Sequence, residues 1–284
     1  KGKNNNTINK SSTDDRARDY YYNGLDKYNL KDYKGAIVDF TKAIQINPNN
    51  SYYYFYRASS KSKLKDYKGS IADYTRAIEL DPKDDAAYNN RGNSKSKLKD
   101  DTGAIADYTR ALELDPNYAP AYLNRGISKD ALKDYKGAIA DYTRAIELDP
   151  KDDWAYNNRG NSKLELNDYE GAKADFTRAI ELDPKHEYAY RNRGLSKYNL
   201  KDYYGAISDQ TRAIELDPNN DRAYGDRGNS KYQLNDYEGA ISDNTRAIEL
   251  DPKHEYAYNN RGAAKNKLKD YKGAIADYTR AIEL

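Results

Sequence analysis

The side chains with reactive potential in this sequence are few. Its two histidines, His186 and His254, stand 68 residues apart, each behind a Pro-Lys pair, and a pair so placed rarely converges on one metal ion or one proton. Cysteine is absent, which removes thiolate nucleophiles, thiolate metal sites and disulfides. Carboxylates are plentiful, 46 in all, but they recur at matching positions, as caps and solvated helix faces do, rather than as one asymmetric acid and base. No phosphate-cradling glycine loop, dinucleotide fingerprint, zinc signature or nucleophile elbow is present. These residues point away from an enzyme, and neither a cofactor nor a metal is expected.

Amides carry a more regular signal. Asn90, Asn124, Asn158 and Asn192 follow one another at 34-residue intervals, and Asn260 falls in the same register. A primary amide both donates and accepts, so a row of them can bond the C=O and N–H of an extended peptide without reading its side chains. Trp154, Tyr188 and Tyr256, with Tyr198 and Tyr232, add aromatic area suited to anchoring a ligand. Asparagine is equally a tolerated polar residue on a helix surface, so the row has a purely structural reading as well.

What must position these residues is a repeat. Pro48, Pro82, Pro116, Pro150, Pro184, Pro218 and Pro252 recur every 34 residues, which points to a solenoid. Numbering each unit from 1 with its Pro at position 32 gives eight units: 17–50, 51–84, 85–118, 119–152, 153–186, 187–220, 221–254 and 255–284. Tyr at position 4, a small residue at 8 and Leu at 14 form one apolar stripe, predicting a first helix, A. After a Lys/Asn-Asp step able to cap a helix, a second stripe through positions 17, 20, 21, 24, 27 and 28 predicts a second helix, B. Asp-Pro or Asn-Pro then breaks the helix before the next unit.

The pattern, for example Tyr88, Gly92, Ala104, Tyr108, Ala111 and Pro116, resembles the tetratricopeptide repeat family over residues 17–284. The resemblance implies an all-α fold, a right-handed superhelical solenoid of helix-turn-helix repeats whose A helices line a concave groove. It also makes the amide row similar to the asparagine ladder with which some members hold an extended peptide, with Asn90, Asn124, Asn158, Asn192, Asn260, Trp154 and Tyr188 as groove candidates. Position 7 departs from the family, being Arg in seven units where an apolar residue is usual, and Asp stands at 23 in all eight, so an Arg–Asp pairing across the hairpin seam is expected. The Lys of the family's carboxylate clamp is missing at position 5, which argues against a chaperone adaptor.

Bulk properties narrow the partners. Forty-eight basic against 46 acidic residues leave a net charge of +2, and the expected groove is rich in Asn, Ser and Tyr rather than Lys and Arg, so nucleic acid is not an expected partner. A mean hydropathy of −1.16 and the lack of a long apolar run argue against a membrane span. Polypeptide partners remain, either a foreign extended peptide or the chain itself. Residues 1–16 read as a flexible polar tail, and Lys1 marks either a processing site or an arbitrary boundary. Ile275, Ile282 and Leu284 near one end and Tyr20, Tyr21 and Tyr22 near the other resemble cut inter-repeat faces, so head-to-tail stacking into a filament is expected. Sequons at Asn5, Asn9 and Asn49 fit export, which tilts the expected location toward the cell surface or exterior over the cytoplasm.

Overall fold

The computed structural model describes the backbone of residues 6–284 and the side chains from Asp14 onward. Among these residues every regular element is an α-helix, sixteen in all. They pair into helix-turn-helix units: α1 (Asn6–Asn29) with α2 (Tyr33–Ile46), α3 (Ser51–Lys63) with α4 (Tyr67–Leu80), α5 (Asp85–Lys97) with α6 (Asp101–Leu114), and α7 (Ala119–Ala131) with α8 (Tyr135–Leu148). The same order continues with α9 (Asp153–Glu165) and α10 (Tyr169–Leu182), α11 (Glu187–Asn199) and α12 (Tyr203–Leu216), α13 (Asp221–Gln233) and α14 (Tyr237–Leu250), and α15 (Glu255–Lys267) and α16 (Tyr271–Glu283). Two compact units divide these hairpins, the first holding α1 to α8 and the second α9 to α16. No described helix is long and apolar enough to cross a membrane.

Local chemistry explains each turn. Position 15 takes the left-handed conformation in all eight hairpins, with φ between 60 and 66° on Lys or Asn. Asp at 16 then caps helix B, its carboxylate accepting the N–H of Gly at 19, as in Gly137 N to Asp134 Oδ1 at 3.0 Å. A Cβ on Gly137 would stand 2.2 Å from that same carboxylate, which is why glycine is needed there.

Packing follows the predicted stripes with one correction. Outside the last hairpin, Ala or Ser at 20, Ala at 27 and the aromatic at 24 are buried, Phe40, Tyr142 and Phe176 completely. The ring at 24 packs against the glycine at 8: a Cβ on Gly126 would meet the Tyr142 ring at 2.6 Å. Leu at 14, expected to close the helix A stripe, instead falls just past the end of helix A and is buried in none of the eight hairpins: it is half-buried at Leu200 and Leu234 and exposed at the other six, up to 81 % at Leu30. The helix has ended there, so its side chain leaves the seam.

Arg at 7 and Asp at 23 do pair across the seam. Arg125 donates from Nε to Asp141 Oδ2 at 2.9 Å and from Nη2 to Oδ1 at 2.7 Å, while Nη1 reaches Thr109 of the preceding hairpin at 3.1 Å. Lys129 completes the carboxylate's shell at 2.7 Å, and the guanidinium lies 5.6 Å from the centroid of Tyr122. Three hydrogen-bonded charges and an aromatic face thus replace the usual apolar contact, and the arrangement ties each hairpin to its predecessor.

Helix α1 begins at Asn6, inside the segment read as a flexible tail. Neither Gly nor Pro occurs between Asn6 and Tyr22, so nothing stops the helix from propagating upstream of the first repeat.

Candidate functional site

Within each unit the A helices touch one another as well as their own B helices: α1 meets α3, α3 meets α5 and α5 meets α7, and in the second unit α9, α11, α13 and α15 do the same. Among the described residues the B helices of successive hairpins make no such contact, so the A row forms the inner side of each unit's curve.

The structure sets the position 6 amides half-buried on this row and gives most of them sideways partners. Asn124 donates to Asn89 Oδ1 at 3.1 Å, bridging α7 to α5, and Asn192 donates to Asn161 Oδ1 at 2.9 Å, bridging α11 to α9. Asn90 Oδ1 accepts from Asn89 at 3.2 Å, and Asn158 Oδ1 accepts from Asn157 at 3.5 Å. Asn89 and Asn157, at position 5, are buried partners that the sequence reading passed over. The carbonyls of Asn124 and Asn192 and the whole amide of Asn260 keep unused hydrogen-bonding capacity. Near Asn192, a 370 Å³ cavity opens between Asn161, Leu164 and Leu195.

In the first two hairpins position 6 is Tyr22 and Tyr56, and the inner row becomes aromatic. Tyr21 packs against Phe40, Tyr53 and Tyr56 with centroids 5.2 to 6.1 Å apart, and burial, followed by the neighbouring tyrosines, pushes its hydroxyl up to about 12. Tyr20 joins the joint with the second hairpin, while Tyr22 is 55 % exposed. Ile275, Ile282 and Leu284 are exposed on and just after α16.

The second unit carries the charged and mixed features. Trp154 and Tyr188 flank His186, the N-cap residue of α11, with ring centroids 4.7 and 6.4 Å from the imidazole. Arg191 crosses from α11 to Asp226 on α13 at 2.8 Å, where Asn would complete the amide row. Burial pushes the Asp226 carboxyl up against the opposing pull of Arg191. A 490 Å³ cavity lies between Arg191, Asp226, Asn229, His254 and Asn260. Sequence periodicity marked only Asn260 here, because Arg191 and Asp226 are exceptions to the repeat. Of the sequons, Asn49 is exposed in the turn after α2, and the side chains of Asn5 and Asn9 lie outside the described residues.

Models of the tetratricopeptide repeat match residues 17–50, 86–118, 154–186, 188–220 and 255–284, and a TPR repeat model matches 60–99, 131–164 and 228–268. Among solved structures, YrrB, described as a TPR protein with an unusual peptide-binding site, is 27 % identical over 65 % of this chain and 95 % of its own, with a TM-score of 0.57. MamA is 25 % identical over 57 % of this chain and 95 % of its own, with a TM-score of 0.54. A tetratricopeptide repeat protein from Parabacteroides merdae is 18 % identical over 89 % of this chain and 100 % of its own, with a TM-score of 0.65, a likeness of fold alone. No curated protein matches the chain.

Proposed function

Because the chain belongs to the tetratricopeptide repeat family, we propose that it is a polypeptide-binding scaffold that holds an extended peptide along the inner A helices of its second unit. The observation that carries this reading is the state of the amide row. In that unit Asn192 is held in place by its bond to the neighbouring helix and, among the described residues, keeps its carbonyl oxygen for an incoming N–H, while Asn260 keeps both groups. Side chains positioned before the ligand arrives lose little freedom on binding. The peptide-binding site named for YrrB supports the same reading. The test is selection of a random peptide library on the intact chain, followed by calorimetry of the recovered peptides. Saturable one-to-one binding that protects α9 and α11 from hydrogen exchange supports the reading, and failure to recover any binder overturns it.

A second reading, stacking of one copy on another, is favoured by one contrast. At position 28, Ile180 and Ile214 are 9 % exposed beneath the next hairpin, whereas Ile282 is 87 % exposed. That face fits another hairpin of the same repeat, whether in a longer chain or in a second copy. Sedimentation of the chain beside Ile282→Asp decides: assemblies that the substitution dissolves support stacking, and a monomer at high concentration contradicts it.

A further inference from the structure

In the second unit every A helix starts with an acid, followed in three cases by an exposed aromatic: Asp153-Trp154, Glu187-Tyr188 and Glu255-Tyr256, against Asp221-Arg222 in the remaining one. At the joint of α9 and α11, Trp154 is 52 % and Tyr188 50 % exposed, their centroids 6.4 Å apart with planes at 49°. His186 is buried between them and fixes both rings, so they form two walls of an open corner rather than a collapsed stack. Asp153 stands at this corner with its Oδ2 3.6 Å from His186 Nε2, and no Lys or Arg pairs with it among the described residues.

The same His-to-acid frame recurs one repeat pair further on with a different residue at position 2. His254, the N-cap residue of α15, sets its Nε2 3.5 Å from Asp221 Oδ2 beside Tyr256. There position 2 is Arg222, and the chain's own guanidinium borders a cavity together with Asp221 and Asp226. Where Trp154 stands in place of that arginine, the carboxylate has aromatic walls and no guanidinium at that position.

We infer that Trp154, Tyr188 and Asp153 form a subsite for a cationic side chain, Lys or Arg, of the bound peptide, whose charge lies over the indole face and against the Asp153 carboxylate. This rests on the peptide-holding reading and adds to it a side-chain preference, which the amide row by itself does not supply. His186 is a positioning residue in this subsite.

Trp154 is the sole tryptophan of the chain, so its emission reports the subsite directly. Peptides selected on the intact chain are sequenced, and the tightest is titrated by fluorescence and by calorimetry. The expected result is a recurrent Lys or Arg in the selected peptides and a saturable change in Trp154 emission. Replacing that residue by citrulline or norleucine, or introducing Asp153→Asn, lowers affinity about 10-fold. Asp85→Asn, at the matching place in a hairpin that has Ala86 next to it, leaves affinity unchanged; circular dichroism confirms that both variants fold. Selected peptides without a recurrent basic residue, an unmoved Trp154 signal during calorimetrically proven binding, or full affinity in Asp153→Asn overturn the subsite and leave the peptide-holding reading standing. Recovery of no binder overturns both.

Discussion

Replacing Asn244 by Tyr tests whether the aromatic at position 24 governs local stability. Six hairpins place Phe or Tyr there, but α12 and α14 carry Gln210 and Asn244, both fully buried. Asn244 donates Nδ2 to Ala240 O at 2.8 Å, and its Oδ1 has no partner; Gln210 accepts from Ser230 at 3.0 Å, and its Nε2 has none. An unpaired buried polar atom costs about 1–3 kcal/mol. A buried tyrosine ring adds about 2 kcal/mol, and loss of the Ala240 bond takes back about 1 kcal/mol. The site is ready for the ring, because Gly228 is already opposite and Asn229 occupies the place of Asn93, which accepts the Tyr108 hydroxyl at 2.8 Å in the third hairpin. The net expectation is a gain of about 2–4 kcal/mol in local opening, or roughly 30- to 700-fold slower hydrogen exchange in α13 and α14. In the parent chain the sixth and seventh hairpins are expected to exchange earliest, since each repeat leans only on its neighbours. Unchanged or faster exchange in α13 and α14 of Asn244→Tyr, with the remaining helices intact, refutes the argument.

Other outcomes follow from the same contacts. Asp141→Ala strands Arg125 and Lys129 and is expected to cost about 3–5 kcal/mol by urea unfolding, whereas Glu113→Ala, which breaks only the exposed Arg110 pair, costs under about 1 kcal/mol. Lys133→Gly relieves a φ of 62° and is expected to raise the urea midpoint, with a gain of about 1 kcal/mol. Burial raises the Asp277 carboxyl, but the bonds from Arg261 and Lys265 outweigh it and leave it below the ordinary carboxylate value. The stability it contributes is therefore present above a pH of about 4 and is lost as pH falls through the lowered value; Asp277→Asn is expected to flatten that acid limb in a pH series of melts.

The fold was legible because its determinants are periodic. Tyr at 4, Gly at 8, Ala at 20 and 27 and the aromatic at 24 repeat with the hairpin, so eight copies average away local irregularity. Two equally periodic residues went unread: Lys at 11 and Thr at 25 occur in all eight units and complete the Arg–Asp network, but a polar residue carries no hydrophobic stripe to flag it. Leu at 14 misled for the converse reason, since an apolar residue one step beyond a helix end fits the stripe without entering the core. At the candidate site the amide register could be read from spacing, whereas the sideways bonds of Asn89 and Asn161 depend on how far apart neighbouring A helices stand. The burial of His186 between Trp154 and Tyr188, and the Arg191–Asp226 pair, join residues of different repeats that each break the pattern, so no period announces them.

The central claim, that the amide row of the second unit holds the backbone of an extended peptide, is tested most directly by calorimetry of a selected peptide on the parent chain and on the triple variant Asn158→Ala, Asn192→Ala, Asn260→Ala. Each lost amide contact to the peptide backbone is worth on the order of 1 kcal/mol, so affinity is expected to fall about 100-fold while circular dichroism shows the helices retained. Undiminished affinity in the folded triple variant contradicts the account and leaves the asparagines as ties between helices.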